Sequence, residues 1–121
     1  MQKLIITIEV LKEIPHGSLV SFEGDFDGYA TDDLADIQKV IDGVKEGANI
    51  IFDFAKLNYL NSYAIGHLAN WYNHVSDLKG RIVIVGANKN VSDIFDILGI
   101  KTLFKIFPDK EAALEALNSE A

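Results

Sequence analysis

The chain has 121 residues, of which 49% are hydrophobic and 24% are charged, and its formal net charge at pH 7 is −7. This length suits one folded domain with its own core, and the acidic balance opposes direct binding to nucleic acid or to an anionic membrane. The absence of cysteine excludes disulfides, thiolate chemistry and cysteine-based zinc sites. The sequence shows no signal-peptide pattern and no apolar run near the roughly 18 residues of a membrane span, so we expect a cytoplasmic protein without membrane insertion.

The first part of the chain predicts a β-hairpin and a helix. Residues 4–10 and 18–22 mix β-branched and apolar residues with polar ones, and the turn signal Pro15-His16-Gly17 separates them. Residues 24–28 are acidic and glycine-rich, which is typical of a flexible loop. A helix is predicted over 31–46. Its apolar stripe consists of Leu34, Ile37, Ile41 and Val44.

Strands and helices alternate in the rest of the chain. Residues 50–54 and 81–86 are apolar runs without alternation, which predicts strands that are buried on both faces in the middle of a sheet. The remaining predicted elements are a helix over 62–77, a helix that Asn88 or Asn90 caps and Gly99 ends, a strand over 103–107, and a helix over 109–117 with a fraying tail over 118–121.

This order of elements, β-β-α-β-α-β-α-β-α, predicts one α/β domain over residues 1–121. We expect a mixed central sheet of about five strands with about four helices against it. In such sheets, functional residues collect in the loops beyond the carboxyl ends of the strands. The loop with Asp25 and Asp27 and the segment with Asn61 and Ser62 both follow such strand ends, so we expect them to form one surface.

The segment over residues 53–66 is the candidate site, where a strand passes through a short loop into a helix. Asn61 and Ser62 are both good N-cap residues, because a side-chain oxygen can accept from the first amides of a helix. The start of a helix also favours negative charge. A hydroxyl at this position, such as that of Ser62, can therefore carry a phosphate without damage to the fold.

The helix over 62–77 is predicted to have two faces. Its apolar stripe consists of Ile65, Leu68, Ala69, Tyr72 and Val75, with Trp71 at the edge of the stripe and partly buried. The polar face consists of Tyr63, Gly66, His67, Asn70, Asn73, His74 and Asp77. Tyr63 is an aromatic residue on this polar face, which suggests a contact with a partner. The alternative is that Ser62 only caps the helix and that Tyr63 is an ordinary half-exposed aromatic residue.

The sequence argues against two kinds of catalytic or metal site. A serine nucleophile at Ser62 would need a base beside it, but His67 and His74 lie further along the same helix and cannot easily turn back. His67 and His74 are seven residues apart and share a face of the helix, but two histidines without a third ligand rarely form a metal site. We therefore expect no enzymatic activity, no cofactor and no metal.

A receiver-like phosphoacceptor domain is a further alternative. Asp25, Asp27 and Asp53 would then form a magnesium cluster, with Asp53 as the phosphorylated residue at the end of the third strand. The predicted N-terminal hairpin and the place of Lys105 within the last strand argue against this alternative, because a receiver domain opens with strand-helix-strand and needs a lysine after its last strand.

Residues 53–66 resemble the signature of the bacterial anti-sigma factor antagonists, the STAS domain family. The usual form of that signature is Asp-Leu-Ser-x-Val-x-Phe-Ile/Met-Asp-Ser-Ser/Thr-Gly-Leu-Gly, and it aligns with this segment without a gap. Two further segments are similar to the family: Gly24-Asp-Phe-Asp27 resembles its Gly-x-Leu-Asp loop, and Phe95-Asp-Ile-Leu-Gly-Ile100 resembles the segment before its last strand.

The resemblance implies a STAS-like fold and a regulatory binding module. Such a module binds an anti-sigma factor serine kinase and thereby releases a sigma factor. Phosphorylation of the signature serine dissociates the complex, and a serine phosphatase restores it. The signature serine aligns with Ser62 and the acidic loop residue with Asp27. We therefore expect phosphorylation at Ser62 and partner binding through Asp27, Asn61, Tyr63 and His67.

The residues next to Ser62 depart from the signature at three positions. Asn61 replaces an aspartate, Tyr63 replaces a second hydroxyl residue, and Ala64 replaces a glycine. Asn61 can still cap the helix but carries no charge, and Tyr63 changes the shape that a kinase would meet. The resemblance therefore leaves an alternative function open: a constitutive, unphosphorylated STAS scaffold or a transporter-associated STAS subunit.

Overall fold

Within residues 3–27 and 32–119, which the computed structural model describes, five strands form one sheet with four α-helices and one short 3-10 helix around it. The elements in chain order are β1 (Ile5–Leu11), β2 (Gly17–Phe26), α1 (Asp32–Asp42), β3 (Asn49–Leu60), α2 (Ser62–Asp77), β4 (Arg81–Val85), α3 (Lys89–Leu98), the 3-10 helix (Ile100–Thr102), β5 (Ile106–Phe107) and α4 (Lys110–Ser119). None of the helices in this described part is long and apolar enough to cross a membrane.

The sheet is mixed, and its strand order follows the chain from β1 to β5. β1 and β2 pair antiparallel as a hairpin, and each later strand pairs parallel with the one before it. The crossovers between successive parallel neighbours are α1, α2 and α3, and crossovers of one hand all lie on the same face of a sheet. The predicted α/β class and the predicted order of elements are confirmed.

Two hydrophobic clusters cover the two faces of the sheet. The larger cluster joins the sheet to α1, α2 and α3, and the smaller cluster joins it to α4 through Ala113 and Leu117. Aromatic rings form the centre of the larger cluster. The Phe22 ring meets the Phe52 and Phe54 rings edge to face, at centroid distances of 5.2 and 4.9 Å. Such contacts add to the stabilisation that comes from burial of the rings.

β2 and β3 are much longer than the sequence pattern predicts. β3 runs over Asn49–Leu60 instead of 50–54, and β2 reaches Phe26 instead of residue 22, so the interpretation of 24–28 as a flexible loop is wrong up to Phe26. The two strands continue to pair across two register shifts. In the second half of β3 the buried residues Leu57 and Leu60 are three positions apart, which removes the alternation that identifies a strand.

Several predicted helix and strand ends also need correction. α1 ends at Asp42, before Gly43, rather than at residue 46, and its predicted start at Thr31 lies outside the described residues. β5 contains only Ile106–Phe107, because the segment before it turns into the 3-10 helix. α4 continues to Ser119, so the predicted fraying is wrong for residues 118 and 119, and residues 120–121 lie outside the described residues.

Trp71 is more deeply buried than predicted. Only 2% of its surface is exposed, and its ring stacks on Phe26 at a centroid distance of 6.1 Å. The indole Nε1 donates a hydrogen bond to Oε1 of Gln38 in α1, at 3.0 Å. A buried tryptophan needs such an acceptor for its N–H group. This bond across two helices explains why Trp71 lies inside the core rather than at its edge.

Replacing Phe52 with alanine should lower the free energy of unfolding by about 3 to 5 kcal/mol, because the ring is fully buried and contacts Phe22, Phe54 and Trp71. Urea unfolding followed by circular dichroism measures this loss. Ile97→Ala is the matched control at an exposed position of α3 and should change the free energy by less than about 0.5 kcal/mol. Equal losses in the two variants would contradict this description of the core.

Candidate functional site

The candidate site lies where the two parallel strands β2 and β3 end beside each other. Their register pairs Asp25 with Tyr59 and Phe26 with Leu60. The Asn61 backbone N–H donates to the Phe26 carbonyl oxygen at 3.3 Å, one step beyond the last pair. Asp27 directly follows Phe26 in the chain, so it lies beside the start of α2 at the same end of the sheet.

A single residue, Asn61, connects β3 to α2. It has an extended backbone (φ −115°, ψ −176°), and its Oδ1 accepts a hydrogen bond from the Ala64 N–H at 3.1 Å. Of the two predicted caps, the structure therefore selects Asn61, and Ser62 is the exposed first residue of the helix. The predicted short loop between strand and helix is wrong, because β3 continues to Leu60.

The start of α2 itself favours an anion at Ser62. The first turn of α2 contains no acidic residue, and the amides at the start of a helix carry the positive end of its dipole. The cap at Asn61 is neutral, whereas an aspartate at the same position would add a negative charge next to Ser62. A phosphate at Ser62 would thus meet a favourable field from its own helix.

Two exposed tyrosines flank Ser62. Tyr63 is 65% exposed and Tyr59 is 41% exposed. Aromatic residues are enriched in protein interfaces, where they supply a large contact area. Tyr63 is among the predicted partner-binding residues, but Tyr59 is not. No periodic pattern marks Tyr59 as an exposed strand residue, because it lies in the half of β3 that breaks the alternation.

His67 is half-buried rather than fully solvated, which corrects the predicted polar face of α2 at this position. Its ring stacks on Phe26 at a centroid distance of 6.4 Å and contacts Trp71 at 5.7 Å. Phe26 precedes Asp27, so this packing holds the middle of α2 close to the end of β2. The structure therefore brings Asp27, Asn61, Ser62, Tyr63 and His67 to one end of the molecule, and their roles in binding stay predictions.

The buried side of α2 is also rotated from the predicted stripe. Its fully buried residues are Ala64, Leu68, Trp71 and Val75. Ile65, Ala69 and Tyr72 are only half-buried. The large Trp71 ring packs between the helix and the sheet, and the small Ala64 side chain fits at the start of the helix. The departure of Ala64 from the signature glycine thus places a small methyl group in the core.

Asparagine side chains support the end of β3 on the side where β4 is missing. The pairing with β4 ends at Asp53 and Val85, seven residues before the end of β3. Beyond that point, Nδ2 of Asn88 donates to the Leu57 carbonyl and Nδ2 of Asn90 donates to the Asn58 carbonyl, both at 2.8 Å. Backbone carbonyls that would otherwise lack a strand partner are thus satisfied.

Asn88 is at the same time the N-cap of α3. Its Oδ1 accepts a hydrogen bond from the Val91 N–H at 2.9 Å. One side chain therefore starts α3 and fixes it to the second half of β3. The chain between β4 and α3 passes close to Ala55 of β3 at Gly86. This residue has a positive φ of 73°, and an added Cβ would lie 3.1 Å from the Cβ of Ala55.

The receiver-like alternative does not fit the structure. Asp53 lies within β3, where it pairs with Ser21 and Val85, rather than at the end of the strand beside Asp25 and Asp27. Its Oδ1 accepts a hydrogen bond from the Ala55 N–H at 2.9 Å. Within residues 3–27 and 32–119, no group of three or more His, Asp or Glu side chains is arranged to hold a metal ion.

Comparison with known protein families identifies the fold and the family. The model of the family described as STAS domain matches residues 6–113. The chain belongs to the STAS domain family. This match covers the candidate site and confirms the resemblance that the segment over 53–66 indicates.

Solved structures of STAS proteins share the fold. An anti-sigma factor antagonist from Mycobacterium paratuberculosis has a TM-score of 0.79 at 20% identity, over 96% of this chain and 95% of that chain. The anti-sigma factor antagonist SpoIIAA in its unphosphorylated form has a TM-score of 0.74 at 18% identity, over 95% and 97% of the two chains. The murine anion transporter Slc26a9 matches with a TM-score of 0.70 at 17% identity, over 88% of this chain but only 18% of the transporter.

Replacing Asn61 with alanine should lower the free energy of unfolding by about 1 kcal/mol, because the Ala64 amide loses its acceptor. Asn61→Asp keeps an acceptor and adds a charge at the positive end of the helix, so its stability at neutral pH should match or slightly exceed that of the parent chain. Urea unfolding measures both variants. The control is Asn73→Ala, at an exposed position of the same helix, which should cause no loss. If Asn61→Ala is as stable as Asn73→Ala, the cap does not contribute as described.

Proposed function

We propose that this chain is an anti-sigma factor antagonist. In this proposal, the surface around Ser62 binds an anti-sigma factor serine kinase in the cytoplasm, and phosphorylation of Ser62 by that kinase ends the interaction. A serine phosphatase then restores the binding form. The single observation that carries the proposal is the position of Ser62: it is the exposed first residue of α2, in a segment that aligns with the STAS signature without a gap.

Relatives of the same fold support this proposal. Anti-sigma factor antagonists of similar length share the fold, and SpoIIAA has been solved in both its unphosphorylated and its phosphorylated form. The sequence identity to these proteins is about one fifth or less, so the local chemistry of this chain must support the function independently.

The proposed binding surface combines shape and charge. Tyr59 and Tyr63, which precede and follow Ser62 in the chain, supply exposed aromatic area, and Asp27 follows the end of β2 at the same end of the sheet. The chain as a whole has a net charge of −7. A kinase with a basic and partly apolar surface would complement this region. In this arrangement the chain binds the kinase and serves as its substrate, and it performs no chemistry itself.

A phosphate at Ser62 would act on the interface rather than on the fold. Phosphorylation adds a charge of about −1.5 to −2, and the start of α2 accepts negative charge without loss of helix stability. A like charge on the partner about 4 Å away would cost roughly 4 kcal/mol at a surface-like dielectric, before screening by salt. Such a cost corresponds to about a thousandfold weaker binding.

The alternative function is a constitutive STAS scaffold or a transporter-associated STAS subunit. Two observations favour it. Asn61 and Tyr63 replace the aspartate and the hydroxyl residue that flank the serine in the usual signature, and a domain of the anion transporter Slc26a9 shares the fold. In this alternative Ser62 is never phosphorylated, and Tyr59 and Tyr63 form a permanent contact.

The mass of the protein purified from its native cells distinguishes the two functions. Peptide mapping over residues 60–71 should locate one phosphate on Ser62, and the Ser62→Ala variant should lack it. Tyr63→Phe is the matched control, because it removes the neighbouring hydroxyl group and should leave the phosphate in place.

If no phosphate appears even with the cognate kinase and ATP, phosphorylation of Ser62 does not control this protein. The constitutive scaffold or transporter-associated subunit is then the better interpretation. A hydroxylamine-labile phosphate on Asp53 would contradict both functions.

A further inference from the structure

Among residues 3–27 and 32–119, β1 is an edge of the sheet with no strand on its outer side. It pairs with β2 alone, and its seven pairs with β2 follow one unbroken register without a bulge. It contains no proline and no lysine, and Glu9 is its only charged residue. Proteins usually protect an edge strand with prolines, lysines or bulges, because the outer backbone groups of the strand can otherwise pair with another chain. The opposite edge, β5, has only two residues and offers little backbone for pairing.

β1 also exposes apolar side chains on both of its faces. Val10 is 74% exposed and Ile8 is 39% exposed on the face that carries α1, and Ile5 is exposed on the other face. No other strand of the described residues exposes as many large aliphatic side chains. An edge that is both unpaired and apolar indicates a surface that is covered by another strand.

We propose that β1 pairs antiparallel with β1 of a second copy of this chain, around a two-fold axis at Ile8. In this register all seven residues of each β1 find a partner. On the face with α1, the pairs are Ile6 with Val10 and Ile8 with Ile8, so every pair is apolar. On the other face, Ile5 pairs with Leu11 and Thr7 pairs with Glu9. The two five-stranded sheets then form one continuous sheet of ten strands.

Charge selects this register over its neighbours. A two-fold axis at Glu9 would place two like charges directly opposite each other, which destabilises a strand pair. An axis at Thr7 would leave only five residue pairs and would place Glu9 against the apolar Ile5. With the axis at Ile8, each Glu9 faces a neutral threonine. The sequence of β1 is therefore complementary to itself in one antiparallel register.

The dimer should be weak and should depend on salt. One strand pair buries less area than the roughly 1,200 Å² at which stable interfaces begin, so we expect a dissociation constant of about 1 to 100 μM. Each copy carries a net charge of −7, and salt screens the repulsion between the copies. The fraction of dimer should therefore rise with ionic strength. β2 separates β1 from β3, so this pairing does not use the residues around Ser62.

Sedimentation equilibrium of the full chain over about 10 to 500 μM should show a monomer–dimer equilibrium. Its dissociation constant should lie at about 1 to 100 μM, as expected for one strand pair. Ile8→Lys places two like charges on the two-fold axis and should weaken the dimer at least about tenfold. The matched control is Ile97→Lys, the same change at an exposed position of α3, which should leave the equilibrium unchanged. A monomer at all concentrations, or equal weakening by both substitutions, would overturn the proposal.

The absence of native cysteine allows a direct test of the register. In the proposed dimer, Ile8→Cys places two thiols opposite each other within the distance of a disulfide, whereas Val10→Cys places them several residues apart. Val10 is the more exposed residue, so random collisions would favour a disulfide at position 10. Faster oxidation to a linked dimer at position 8 supports the register, and equal or faster linkage at position 10 overturns it.

Discussion

The parallel pairing of β2 with β3 is the constraint on which the candidate site depends. The two strands continue side by side through two register shifts as far as Phe26 and Leu60, and Gly24 takes the positive φ of 97° that this path requires. Because both strands end at the same level, Asp27 and Asn61 follow at neighbouring positions. The Phe22, Phe52 and Phe54 rings fill the space between this strand pair and the helices.

The length of β3 leaves backbone carbonyls without a partner on β4, and side chains at the start of α3 satisfy them. β4 is too short to pair with the second half of β3, so the carbonyls of Leu57 and Asn58 need other partners. The amides of Asn88 and Asn90 supply them, and Asn88 also caps α3. Ser62, the first residue of α2, therefore follows this supported strand end after the single residue Asn61, without a loop between them.

The sequence alone predicts the parts of this fold that follow a simple period. The apolar run over 50–54 and the helical spacing over 62–77 identify the central strand and the site helix. The second half of β3 could not be predicted, because Leu57 and Leu60 are three residues apart. The bond from Trp71 to Gln38 and those from Asn88 and Asn90 to β3 connect distant residues, so no local pattern reveals them. Tyr59 lies in this second half of β3, so its exposure could not be predicted either.

We propose above all that phosphorylation of Ser62 controls the binding of a kinase partner. Its most direct test is the affinity of the cognate serine kinase for the chain before and after stoichiometric phosphorylation, measured by isothermal titration calorimetry. We expect the phosphorylated chain to bind at least about 100-fold more weakly, and Ser62→Ala to keep the affinity of the unphosphorylated chain. Equal affinities of the two forms would show that phosphorylation of Ser62 does not control binding.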